Sequence, residues 1–205
     1  GKTIPKESLE IRRQRVINNY LIETIQVTNF SIFRQTVNLR FDFDADFLDI
    51  FEIRGVKRQR RGKLVPPVVD KDAVTFRYQG LDGVWRSTEI RFSPPPNQLW
   101  YNGALFSLNL GHRESANLTV TISLDGRHGD GHFTSEFAQQ TASYRDWLHS
   151  CTQVFTSNEF FNAMLERSLK DIRLLMTDSE DGRFVAAGTP WFNCLFGRDS
   201  LITSM

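Results

Sequence analysis

Between residues 20 and 124 the chain is a succession of short strand-like runs, cut at close intervals by turn residues. The clearest unit is Val74-Thr75-Phe76-Arg77-Tyr78, then Leu81-Asp82-Gly83, then Val84-Trp85-Arg86-Ser87-Thr88-Glu89-Ile90. Asp-Gly between two such runs predicts a hairpin, because glycine accepts the positive φ that the turn requires. Phe41-Asp42-Phe43-Asp44-Ala45-Asp46-Phe47 alternates apolar and acidic residues with period two. As a strand it puts its phenylalanines on a core face and its aspartates in water. Further strands are predicted over residues 20–30, 37–41, 99–110 and 118–124. Pro94-Pro95-Pro96-Asn97 and Gly126-Arg127-His128-Gly129-Asp130-Gly131 read as turns or loops. Many short strands with regular punctuation select an antiparallel sandwich or barrel. The 17 Phe, 4 Trp and 4 Tyr among 205 residues lean the same way, and towards stacking surfaces.

The pattern changes near residue 140. Tyr144, Trp147 and Leu148 sit at helical spacing. Thr156-Ser157-Asn158-Glu159 reads as a capping box, with Glu three residues after a hydroxyl. Phe161, Leu165, Leu169, Ile172 and Met176 then keep a helical stripe as far as Thr177-Asp178. Asp178-Ser179-Glu180-Asp181-Gly182 reads as a polar loop, and residues 200–205 as the opening of another helix. The fold class expected is mainly β. An antiparallel β-sandwich domain over residues 1–140 is followed over 141–205 by a helical segment that begins a second domain.

Several functions are excluded by what these residues lack. No run of 18 apolar residues is present, so nothing in them spans a membrane as a helix. Residues 1–7 lack the apolar core of a signal peptide. Cys151 and Cys194 make neither a disulfide framework nor a zinc signature, so a reducing, cytoplasmic setting is expected. Asn29-Phe30-Ser31 and Asn117-Leu118-Thr119 are glycosylation tripeptides that matter only in a secreted protein. Lys+Arg 25 against Asp+Glu 24 gives a net charge of +1, no field for nucleic acid or anionic membrane. Lys57, Arg58, Arg60, Arg61 and Lys63 form a local basic run without interleaved aromatics, read as a solvated loop or a patch that meets another part of a larger protein. Asp42, Asp44 and Asp46 open like a calcium loop, but Phe47 and Ile53 stand where Gly and Glu are needed. His112, His128 and His132 lie in Gly-rich, turn-like segments; His128 and His132 have i, i+4 spacing, but Gly129 and Gly131 break any helix between them, and no Cys or acidic ligand geometry is attached. No metal or cofactor is expected.

The C-terminal segment carries the most chemistry. Pro190-Trp191-Phe192 is followed closely by Gly197-Arg198-Asp199-Ser200. A sugar ring packs its apolar C–H face on an aromatic ring. Its hydroxyls donate to Asp and accept from Arg, and bonds assisted by charge are stronger than neutral ones. An interior Trp beside a satisfied Arg-Asp pair would leave the same residues, so residue chemistry alone keeps both readings open.

Ala186-Ala187-Gly188-Thr189-Pro190-Trp191-Phe192-Asn193-Cys194-Leu195-Phe196-Gly197-Arg198-Asp199-Ser200-Leu201-Ile202 resembles the start of the catalytic domain in bacterial-type glycogen debranching enzymes (amylo-α-1,6-glucosidases). Two upstream stretches resemble the same family. One is Asp46-Phe47-Leu48-Asp49-Ile50-Phe51-Glu52-Ile53-Arg54-Gly55, in its N-terminal β domain; the other is Asn158-Glu159-Phe160-Phe161-Asn162 with Arg167-Ser168-Leu169-Lys170-Asp171-Ile172-Arg173, in its first long helix.

The resemblance implies a β-sandwich followed by an (α/α)6 barrel that hydrolyses α-1,6-glucosidic branch points of glycogen or limit dextrin. Arg198 and Asp199 match a pair that binds the non-reducing glucose beside the scissile bond. Trp191 matches an aromatic near that site, and Phe192 and Phe196 are either its wall or core. An inverting glycosidase needs an acid and a base on opposite sides of the bond. The resemblance implies that this pair lies much further along the barrel, downstream of Met205; here Asp178, Glu180 and Asp181 read as solvated and Asp199 as a substrate ligand. Twelve barrel helices of about 12 residues with ~5-residue links need roughly 200 residues. The chain is therefore expected to be an N-terminal fragment, inactive alone. Its apolar helix faces would be covered by the rest of the barrel or by another copy. The competing expectations are a non-catalytic carbohydrate-binding or interaction sandwich and, more remotely, a nucleic-acid-binding β domain using the basic run.

Overall fold

The computed structural model describes residues 7–127, 132–180 and 182–205. In chain order the elements are strands β1 (Leu9–Ile17), β2 (Leu21–Asn29) and β3 (Gln35–Asp42), helix α1 (Ile50–Ile53), strands β4 (Lys63–Val69), β5 (Ala73–Gln79), β6 (Trp85–Ser93), β7 (Gln98–Trp100), β8 (Gly103–Leu110) and β9 (Ser115–Leu124), helices α2 (Phe133–Ser150) and α3 (Glu159–Leu175), strands β10 (Met176–Ser179) and β11 (Gly182–Val185), and helix α4 (Gly197–Ser204). The chain divides into two units, Gly1–Phe137 and Ala138–Met205. His128 and Asp181, and most of the loop expected over 126–131, lie outside the described residues.

The first unit is a two-layer β-sandwich. One sheet has the order β1-β2-β9-β6-β5-β4 and the other β3-β8-β7, with antiparallel pairing throughout. Ile25, Val27, Val74, Phe76, Ile90, Phe92, Leu118 and Val120 of the larger sheet meet Val37, Ala104, Phe106 and Leu110 of the smaller one in a single core. Phe92 centres its aromatic part, with ring centroids 5.6 Å from Phe41, 5.8 Å from Phe106 and 5.9 Å from Phe43. Edge and tilted ring geometries of this kind add to what burial alone contributes. Gly83, at φ +77°, turns the expected β5–β6 hairpin, closed by Gly80 N–H to Val84 O at 2.9 Å.

The acidic stretch after Asp42 is not a strand. β3 stops there, and Phe43 N–H makes one further bond to Asn102 O at 3.1 Å. The aspartates that were expected to face water in a ladder instead take backbone N–H groups for themselves. Asp44 accepts from Ala45 N at 2.8 Å and Asp46 from Leu48 N at 3.0 Å. Asp49 then caps α1 in a capping box with Glu52. Short acidic side chains compete with the ladder in this way. Phe43 and Phe47 still pack on the core, Phe47 stacking on Tyr78 at 5.4 Å from a left-handed φ of +50°.

The basic run is answered by that same acidic stretch. Arg58 pairs with Asp49 at 2.7 Å and Arg61 with Glu52 at 3.0 Å. Lys63, expected in the loop, opens β4.

Two edge strands escape a reading by alternation. β1 carries Glu10, Arg12, Arg13 and Arg15, so its sequence shows no apolar face. β4 contains Pro66 and Pro67, which an edge strand tolerates at the register shift between Val65 and Val68. The strand expected over 99–110 is broken at Tyr101-Asn102, with β7 on one side and β8 on the other. A side chain on Gly103 at this corner would run into the Trp100 indole.

Two polar residues of the larger sheet are deeply placed. Glu23 accepts from Arg13 Nε at 2.6 Å and Arg15 Nε at 2.9 Å. Burial alone would raise its pKa; the hydrogen bonds from Arg13 and Arg15 outweigh that and hold it below the ordinary carboxylate value. Asn29, fully buried, shares its amide nitrogen among Phe33 O, Leu110 O and Gly111 O at 2.8–3.0 Å, and its oxygen accepts from Ser31 N at 2.9 Å. Helix α2 starts at Phe133, ahead of the change read near residue 140, and Phe133 packs on Val16, Tyr20 and Ile22.

In the second unit the cap of α3 is Asn158, not Thr156. Asn158 Oδ1 accepts from Phe161 N at 3.1 Å. Thr156 hydroxyl accepts from Asn158 N and donates to Asn162 Oδ1, so it braces the cap instead of forming a box with Glu159. The helix ends at Leu175, and the segment read as a polar loop is a hairpin of β10 and β11. No described residue of α3 is buried, and Phe160 is 81% exposed.

Candidate functional site

The site residues named from the sequence lie after this hairpin. Met176 pairs with Val185, and Ala186 N–H donates to Leu175 O at 2.8 Å, which ties the strand exit to the end of α3. Asp178 pairs with Arg183 at 2.7 Å across the hairpin, and that hydrogen bond holds its carboxyl below its ordinary pKa. A carboxylate held this way stays charged and is a poor proton donor at neutral pH.

Residues 188–192 then form a closed turn. Gly188 and Phe192 exchange both backbone hydrogen bonds, at 3.2 and 2.8 Å, across a cis Thr189–Pro190 peptide. Trp191 stands at the exit of this turn, 38% exposed. Phe192 and Phe196 meet edge to face at 5.9 Å, which links the turn to the residue before α4. Both rings are half exposed.

Helix α4 is anchored by Ser200, whose hydroxyl donates to Val185 O at 2.8 Å and whose side chain is buried. Arg198 and Asp199 occupy its first turn, where a carboxylate also suits the helix dipole. Arg198 Nη2 lies 3.8 Å from Asp199 Oδ2, too far for a hydrogen bond, with the side chains 83% and 39% exposed. The structure therefore brings Arg198 and Asp199 side by side as donor fork and acceptor, facing outward without a tight mutual bond. Trp191 is held in the preceding turn.

A second concave surface lies outside the residues singled out from sequence. It is a groove of about 660 Å3 on the sandwich, where Trp85, Arg77 and Asp125 come together. The signal available in sequence was parity. Trp85 shares a face with Ser87 and Glu89, the polar side of a strand whose other side carries Ile90 and Phe92.

A family model described as the N-terminal domain of (some) glycogen debranching enzymes matches residues 1–121. The match covers the sandwich from its first strand into β9 and stops before Trp191, Arg198 and Asp199. No curated protein matches the chain. Among solved structures, a protein named as a kojibiose phosphorylase, from the human microbiome, aligns at 10% identity with a TM-score of 0.44. That alignment covers 82% of this chain and 22% of the other, so the chain spans about a fifth of that protein's length.

Proposed function

The chain belongs to the family of N-terminal domains of (some) glycogen debranching enzymes, and from that premise we propose that it forms the β domain and the opening of the catalytic barrel of a debranching α-1,6-glucosidase. The family is one of carbohydrate-active enzymes, and the observation that carries the reading is its match over residues 1–121. The substrate is then a branched α-glucan such as glycogen or limit dextrin, cleaved by water with inversion.

The geometry of the C-terminal segment supports a substrate-binding role for three residues. Arg198 and Asp199 point outward and leave their polar atoms open to sugar hydroxyls. Arg198 donates to a hydroxyl oxygen, and Asp199 accepts from the neighbouring hydroxyl. Trp191 offers a partly exposed ring to the C–H face of the same glucose. In such an enzyme the general acid protonates the glycosidic oxygen while the base removes a proton from water attacking the opposite face of C1. Asp178 is tied to Arg183, and in the debranching reading Asp199 serves the substrate while the acid and base come from later parts of the barrel. Further barrel helices would also cover the exposed apolar residues of α3, among them Phe160 and Leu174. A cytoplasmic setting accompanies the reading, in keeping with the free thiols of Cys151 and Cys194.

The test uses the protein that carries this chain. Arg198→Ala and Asp199→Ala should each lower kcat/KM on limit dextrin by about 10- to 100-fold, the loss expected for charged hydrogen bonds to substrate. Unchanged kinetics would return the pair to a structural role. The 205-residue chain alone should release no glucose; turnover by it would overturn the downstream placement of the acid and base.

A further inference from the structure

The outer face of the larger sheet carries a groove that the reading above does not use. On β5 and β6 the residues Val74, Phe76, Ile90 and Phe92 turn into the core. Alternation sends Arg77 and Trp85 to the other face. Arg77 stands opposite Ser87 on β6 and opposite Val65 on β4, and Gln79 stands opposite Trp85. Trp85 is thus the diagonal neighbour of Arg77, within reach of one bound ring. With Val68, Arg86 and Asp125 these residues line an open groove of about 660 Å3, a volume suited to a small organic ligand.

The groove combines three chemistries. Trp85, 53% exposed, presents an indole with apolar walls at Val65 and Val68. Among the described residues the Arg77 side chain has no hydrogen-bond or ion-pair partner, so its guanidinium is an unused donor fork. Asp125 gives one oxygen to Ser87 N at 2.8 Å, and its second oxygen is an open acceptor among the described residues. Arg86 is neutralised by Asp82 at 2.7 Å. A polyanion entering here meets two carboxylates, and a cation meets two arginines. A neutral polyol uses both the donor and the acceptor, and lays its C–H face on the indole.

We infer that this groove is a saccharide-binding surface, separate from the Trp191–Asp199 segment, that takes a short run of neutral α-linked glucose units through Trp85, Arg77 and Asp125. The choice of glucose rests on the debranching reading; the choice of a neutral polyol rests on the groove itself. Such a surface would hold an outer chain of a glucan on the β unit.

Calorimetric titration of the full chain with maltoheptaose tests the inference. Trp85→Ala and Arg77→Ala should each weaken binding about tenfold, with melting curves showing that the variants remain folded. Trp85→Phe should keep most of the affinity. Cellopentaose, with β-linked units, should bind at least about tenfold more weakly than maltoheptaose. The inference is overturned if the unaltered chain does not bind maltoheptaose or if Trp85→Ala binds as well as the unaltered chain. It is also overturned if cellopentaose binds equally, or if a heparin oligosaccharide binds in place of the glucan. Failure here leaves the kinetic test of Arg198 and Asp199 untouched. Neutral Arg198 and Asp199 variants together with a weakened Trp85→Ala would sink the debranching site and keep the groove.

Discussion

Removing the Asn29 amide would take a donor from three carbonyl oxygens, of which Phe33 O keeps the Ser31 hydroxyl and Gly111 O keeps Glu114 N–H. Asn29→Ala should lower unfolding free energy by about 2 kcal/mol, read from denaturant midpoints, because the buried Leu110 O loses the amide and Ser31 N loses its acceptor. A loss below about 1 kcal/mol would mean that water replaces the amide. Glu23 gives a pH signature of defined sign. Its folded pKa lies below the unfolded carboxylate value, so its stabilisation is fully present above that value, about 4.3, and is lost as pH falls through the lower folded one. Glu23→Gln should therefore destabilise the chain at about pH 6, by about 1 kcal/mol given the half-exposed arginine heads. The gap between variant and unaltered chain should narrow as acid protonates Glu23 in the folded chain; a gap that does not narrow would assign the cost to packing. Neither residue was visible in sequence as special. Asn29 reads there as part of a glycosylation tripeptide, and Glu23 as one charge in a strand, because what makes them matter is contacts with residues 10 or 81 positions away.

The elements divide by whether local chemistry and long-range pairing agree. The β5–β6 hairpin was legible because Gly83 and two alternating runs dictate the same turn. Residues 43–49 were not, because aspartates that alternate like a strand's outer face can equally bond their own backbone, and here they do. β1 was hidden by arginines that mask its apolar face, and β4 by prolines that an edge position accommodates. For α3 the sequence marks the hydroxyl of Thr156, two residues before the true cap, while the bond to the helix comes from Asn158. Asn158→Ala should cost about 1 kcal/mol of stability in the helical unit and lower helical far-UV signal near its midpoint. Thr156→Ala should cost less, since its hydroxyl acts through Asn158; the reverse order would restore Thr156 as the cap. At the site, Trp191, Arg198 and Asp199 were legible because they stand within nine residues of one another. The Trp85 groove was not, because three strands and a turn must register before it exists.

At the scale of the molecule, the sandwich holds an aromatic core of its own, whereas α3 buries none of its described residues. A chain ending at Ser150 keeps Phe133 on Val16, Tyr20 and Ile22. It should retain strand-type circular dichroism and unfold in one cooperative denaturant transition, as a domain with its own core does. A gradual loss of signal would show that the later residues complete the core. The same core decides the fate of the tripeptide at Asn29. An N-linked sugar would be attached to the nitrogen that Phe33, Leu110 and Gly111 hold, whereas Asn117 is exposed on β9 and carries no such conflict. Folding and glycosylation thus compete for one atom. A glycan found on Asn29 would date its own arrival, marking a chain that was modified before its two sheets closed and that could no longer close them.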